Sequence, residues 1–164
     1  MRLKLSKFFI ACNLYVVALC SSAFEVNLSP VSLFPGSLVH GNVLFESNEG
    51  RVKYGPTLGM SYIEDAYAIG ARLEIYSADS QYGSYITLGN FIQSEFEQAP
   101  EIYVAYAGGG NHKALKWDFL GGDYHSKLGG GVLYLYQFNS DNRIFPEVEH
   151  VVLPFIEWKI GVSI

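Results

Sequence analysis

The chain has 164 residues, of which 49% are hydrophobic, 15% aromatic and 16% charged, with 12 Tyr, 11 Phe and 17 Gly. That length suits one domain, and the formal net charge of −5 argues against nucleic acid, whose binding rests on neutralising phosphates with Lys and Arg. The mean hydropathy of +0.15 would fit membrane helices, but no apolar run has the roughly 20 residues that a spanning helix needs.

The chain opens on Arg2, Lys4 and Lys7, continues through an apolar run over residues 8–20, and reaches the small residues Ser21-Ser22-Ala23. A basic start, a short apolar core and small residues before a cut make a secretory signal, with cleavage expected after Ala23. The other readings are an uncleaved anchor or a lipoprotein signal at Cys20, where Leu19 is too bulky for the position before the cysteine. Both cysteines, Cys12 and Cys20, leave with the signal, so the expected mature domain, residues 24–164, holds no disulfide and has a net charge of about −8.

Beyond the signal, apolar residues alternate with small or charged ones, segment after segment. Residues 37–46 alternate in part, with Val39, Val43 and Phe45 opposite His40, Asn42 and Glu46. In residues 51–62, Val52, Tyr54, Pro56, Leu58, Met60 and Tyr62 form one face, and Arg51, Lys53, Gly55, Thr57, Gly59 and Ser61 the other. After Ile63-Glu64-Asp65 the phase flips: Tyr67, Ile69, Ala71, Leu73 and Ile75 oppose Ala68, Gly70, Arg72, Glu74 and Tyr76. Residues 82–93 and 101–107 are rich in Tyr, Ile, Val and Phe, which favour strands. Residues 115–122 put Leu115, Trp117 and Phe119 opposite Lys116 and Asp118, and residues 129–138 open on three glycines and end in alternating Val132, Tyr134, Tyr136 and Phe138. The last segment sets Ile156, Trp158, Ile160, Val162 and Ile164 against Phe155, Glu157, Lys159, Gly161 and Ser163. Gly, Asn, Ser and Pro clusters separate these segments.

The segments amount to eight strands, or ten if residues 26–33 and 143–149 are strands of their own; single-chain bacterial barrels have even numbers. The expected fold is all-β: a closed antiparallel up-and-down transmembrane β-barrel. Large apolar side chains (Leu58, Met60, Ile69, Leu73, Trp158, Ile160, Val162) are expected to face lipid. Arg51, Lys53, Arg72, Glu74, Glu157 and Lys159 are expected to pair in a narrow lumen, because an unpaired enclosed charge is costly. Tyr62, Tyr67, Tyr76, Tyr85 and Trp158 are expected in interfacial girdles. With both termini periplasmic after export, residues 47–50, 77–83, 108–113 and 139–142 are expected to be extracellular.

The signal, the run Tyr54-Gly55-Pro56-Thr57-Leu58-Gly59 leading to Tyr67-Ala68-Ile69-Gly70-Ala71-Arg72, and the closing run 153–164 together carry a resemblance. The chain resembles the small eight-stranded outer-membrane β-barrel families, similar in architecture to the transmembrane domain of outer membrane protein A. Many such barrels end in an aromatic residue read by the barrel assembly machinery, whereas this chain ends in Ile164. The resemblance implies location in a Gram-negative outer membrane, contact with its lipid and lipopolysaccharide, a monomeric state, no cofactor and a structural or surface-interaction role.

Two alternatives are a lipid-modifying outer-membrane enzyme and a soluble periplasmic barrel holding a small apolar ligand. The lipid A deacylases of this architecture use a His and a Ser two apart on one strand. The nearest feature here is Tyr124-His125-Ser126, whose neighbours point to opposite faces. His40, His112, His125 and His150 have no metal-ligand spacing, and Glu147-Val148-Glu149-His150 reads as a solvated acidic loop.

Overall fold

The computed structural model describes residues 24–32, 38–47, 50–61, 66–77, 82–95, 102–117, 123–138 and 148–164. The expected signal, residues 1–23, lies outside them, as does most of residues 143–149. Eight strands, β1 (Phe24–Ser32), β2 (Leu38–Glu46), β3 (Val52–Ser61), β4 (Ala66–Tyr76), β5 (Gly83–Glu95), β6 (Ile102–Ala114), β7 (Asp123–Gln137) and β8 (His150–Ser163), form one closed barrel. Each pairs antiparallel with its sequence neighbour, and β1 closes on β8 from Glu25↔Ser163 to Ser32↔Glu157.

The eight strands are not the eight segments that the alternation suggests. Residues 24–32 are β1, whereas residues 115–117 form no strand: Leu115 N donates to Tyr124 O at 2.8 Å where β6 turns back to β7. Gly108-Gly109-Gly110 lies inside β6 rather than in a loop, paired residue for residue with Gly131, Gly130 and Gly129 of β7.

Adding β1 at the front reverses the end expected for the connections up to β6, and the absence of a strand at 115–117 restores the expected end for the one after β7. The connections at 47–51, 77–82 and 115–122 share the end that carries the chain termini, and those at 33–37, 62–65, 96–101 and 138–149 lie at the opposite end. Of the segments expected to be extracellular, only 139–142 falls away from the termini. The turn after β2 closes with Gly50 at φ 70, a left-handed conformation that glycine adopts freely, and Ser47 N donates to Val52 O at 2.9 Å.

The prolines sit where the ladder tolerates a missing N–H. Pro30 falls at the register shift between Leu28 and Val31, and the β2–β3 register skips from Asn42↔Thr57 to Phe45↔Tyr54 at Pro56. Pro154 lies above Glu157, where the described pairing of β8 with β1 begins.

Alternation resolves into two faces. Outward stand Leu28, Leu58, Met60, Ile69, Ile86, Leu88, Ile92, Leu128, Val132, Val152 and Ile156, all exposed. Leu73, Ile160 and Val162 alternate outward in the same register and are half-buried, and Trp158 is outward and exposed. Among the described residues, no Asp, Glu, Lys or Arg faces outward in the zone between the strand ends; Arg51, Lys113 and Asp123 lie at the terminal end and Glu149 at the other.

The inside is filled in two layers. Toward the end away from the termini, Ala68, Phe91, Ile102, Val104, Tyr106, Leu133, Leu135 and Phe155 pack together, with Val151 and Leu153 against them. Nearer the termini the interior is charged. The sequence led to a lumen filled by charge alone; the apolar half was missed because Ile102, Val104, Leu133 and Leu135 occupy the inward positions of strands whose outward positions are apolar too.

Candidate functional site: the charged lumen

Seven ionised side chains from five strands meet inside the barrel: Glu25 (β1), Lys53 (β3), Arg72 and Glu74 (β4), Lys127 (β7), and Glu157 and Lys159 (β8), each at most 2% exposed. Their strands bring them together through register. Lys53 sits opposite Glu74 across β3 and β4, and Lys127 sits opposite Lys159 across β7 and β8.

Glu74 is the hub. Its Oε1 accepts from Arg72 Nε at 2.7 Å and Lys159 Nζ at 2.8 Å, and its Oε2 from Lys127 Nζ at 2.7 Å and the Tyr76 hydroxyl at 2.8 Å. Arg72 also forks onto Glu157, Nη2 to Oε1 at 2.5 Å and Nη1 to Oε2 at 3.1 Å; this bidentate form is the strong one for guanidinium and carboxylate. Lys159 lies 3.4 Å from Glu157 Oε1, and His40 Nε2 lies 3.3 Å from Glu157 Oε2.

Glu25 is the second centre, receiving Lys53 Nζ on Oε2 at 2.8 Å and Lys127 Nζ on Oε1. Asn27 Nδ2 also donates to Glu25 Oε1 at 2.6 Å and to Asn42 Oδ1 at 2.9 Å. Lys127 thus joins the two carboxylates into one network.

Aromatic rings cap these charges. The Lys53 and Lys127 ammonium groups lie 5.3 and 5.6 Å from the Tyr76 ring centre, the Arg72 guanidinium 5.6 Å from that of Tyr106, and Lys159 5.8 Å from that of Tyr85. Such contacts strengthen when desolvated. Tyr76 and Tyr85, expected in an interfacial girdle, are therefore inside the barrel, at inward positions of β4 and β5. Tyr67 is half-buried and Tyr62 lies outside the described residues. Outside, near the β7–β8 connection, Tyr134, Tyr136 and His150 stack, with Tyr134 Oη 2.6 Å from His150 Nδ1.

Of the six residues expected in the lumen, Lys53, Arg72, Glu74, Glu157 and Lys159 meet there. Arg51 does not: it precedes β3 and is exposed, because the alternation was extended one residue past the point where β3 begins. Glu25 and Lys127 were missed. Glu25 lies on the strand omitted from the count, and Lys127 in a stretch read as a turn for its glycines. The Tyr124, Ser126, Leu128 alternation against His125, Lys127, Gly129 was the available signal.

His125 and Ser126 of the one nucleophile-like pair lie on opposite faces. His125 is inside, with Nε2 2.8 Å from Asn27 Oδ1, and Ser126 is outside, where its Oγ accepts from Trp158 Nε1 at 2.9 Å. That geometry offers no base-to-nucleophile contact.

The network can hold a narrow barrel shut and rigid, since every one of its charges has an opposite charge within bonding distance. Comparison with protein-family models, with characterised proteins and with solved structures found no match to this chain.

Proposed function

We propose that this chain is an integral outer-membrane β-barrel of a Gram-negative cell, exported by its signal and working as a non-catalytic structural or surface-interaction protein. The observation that carries the reading is the inversion of polarity: apolar side chains ring the outside while seven ionised ones are sealed inside. A water-soluble protein rarely leaves so continuous an apolar surface in solvent, and a closed barrel is one of the two backbone forms that satisfy every polar group in lipid. Acyl chains and lipopolysaccharide are then the surrounding partners, the barrel assembly machinery inserts the chain, and it works as a monomer.

With the termini periplasmic, connections 33–37, 62–65, 96–101 and 138–149 face the exterior and carry any surface interaction. Expression of the full chain with its signal, followed by fractionation and electrophoresis of boiled and unboiled samples, tests the reading. Recovery in the outer membrane with faster migration of the unboiled form is expected. Recovery in the soluble periplasm would overturn it.

A further inference from the structure

From the geometry at the terminal end of the lumen we infer a binding site for a divalent late transition-metal ion, Zn²⁺ by preference, formed by Glu25, His112 and His125. The three come from β1, β6 and β7, and one ligand atom of each falls within 4.8 Å of the others. All three side chains are at most 2% exposed.

The two imidazoles are the independent observation. Neither His112 Nδ1 nor Nε2, nor His125 Nδ1, has a hydrogen-bond partner among the described residues, and buried polar atoms without partners are uncommon. The His112 and His125 rings meet edge to face with centres 4.6 Å apart, and His125 Nε2 lies 3.5 Å from Glu25 Oε1. Asn27 Oδ1, 2.8 Å from His125 Nε2, is a neutral oxygen at the same place. Room for this is made by Gly161, the register partner of both Asn27 and His125, where a Cβ would run into His125 Nε2 and Asn27 Oδ1.

Two imidazoles and a carboxylate are a donor set that suits zinc and its neighbours rather than calcium or magnesium, which take oxygen ligands. Sequence spacing conceals it because each ligand sits on a different strand.

Lys127 and Lys53 already neutralise Glu25, so a bound cation must compete with them. The network allows this. Lys127 keeps Glu74 Oε2 at 2.7 Å, and Lys53 has Glu46 as its register partner across β2 and β3. Competition gives the proposal a signature that a surface histidine would lack: removing a ligand weakens binding and removing the competing ammonium strengthens it. The Tyr82 ring, 5.0 Å from that of His112, stands just before β5 at the terminal end of the barrel.

The test uses the full-length mature barrel folded in detergent, so it does not depend on where the protein resides. ZnCl₂ is titrated against a chromophoric chelator, and CoCl₂ is added separately to read its visible d–d bands. One equivalent per chain is expected, with His112→Ala and His125→Ala each weakening affinity at least about tenfold, or about 1.4 kcal/mol. Lys127→Met should tighten it, and His150→Ala, on the outer face, should leave it unchanged. Absence of stoichiometric Zn²⁺ binding and of Co²⁺ bands in the wild-type chain overturns the proposal. So does affinity lost in His150→Ala but kept in the two ligand variants. Should the ligand variants fail to fold, the wild-type Co²⁺ spectrum and the Lys127→Met titration decide between the same outcomes.

Discussion

Glu74 shows how one residue holds the interior. It is completely buried and accepts from Arg72, Lys127, Lys159 and Tyr76. Replacing one member of a buried ion network leaves uncompensated charge behind, at a cost of about 3–5 kcal/mol. Glu74→Gln keeps the shape and removes the charge, leaving Arg72, Lys127 and Lys159 facing one another with Glu25 and Glu157 as their remaining partners. Urea titration of the folded barrel, followed by its heat-sensitive migration, should show a loss of that size. Arg51→Ala should stay within about 0.5 kcal/mol of wild type, because an exposed residue preceding its strand has little to lose. At this scale the sequence was most readable where a strand has a charged inward face. Lys53, Arg72, Glu74, Glu157 and Lys159 alternate with large apolar residues, and period two assigns them to one side. It was least readable at Ile102, Val104, Leu133 and Leu135, since inward apolar residues beside outward apolar residues leave no contrast for alternation to report.

Strands were legible in proportion to that contrast. β3, β4 and β8 alternate cleanly, whereas β1 alternates Val26 and Leu28 against Glu25, Asn27 and Ser29 but is short, interrupted by Pro30 and adjacent to the expected signal. Glycine misled in β6 and β7, because it disfavours strands on average and marks turns. Here it answers a packing demand: a Cβ on Gly110 or Gly129 would press on the Tyr85 hydroxyl, which lies over both. Gly70 of β4 is the sharper case. A Cβ there would collide with the backbone carbonyl of Asn90 and with Phe91. Gly70→Val should therefore lose at least about 2 kcal/mol of stability, from overpacking that the backbone cannot relieve. Ala71→Val, one residue on and facing out between Pro56 and Asn90, should be tolerated. The comparison is made within one strand, so the folded fraction of each variant on unboiled gels separates loss of space from loss of strand propensity, which valine would raise.

The whole molecule is lopsided. β1 to β4 have 9 to 11 residues and β5 to β8 have 13 to 15, and the upper part of β8 pairs with β7 above the level where its described pairing with β1 begins. The apolar inner layer is built mainly by this longer half, and the ionic layer lies below it, spanning from β1 to β8. Parity fixes the rest: with an even number of strands the two termini share an end, and the connections alternate between ends. If export leaves the termini in the periplasm, an epitope inserted at residues 139–147, between β7 and β8, should be labelled by antibody on intact cells. The same epitope at residues 78–81, between β4 and β5, should be labelled only after the outer membrane is permeabilised. Reading the alternation without β1 gives the second site the opposite exposure, so the pair of insertions tests the strand count and the membrane orientation together. Labelling of both sites on intact cells would contradict the eight-strand path, since the three strands between them, β5, β6 and β7, put the two connections at opposite ends of the barrel.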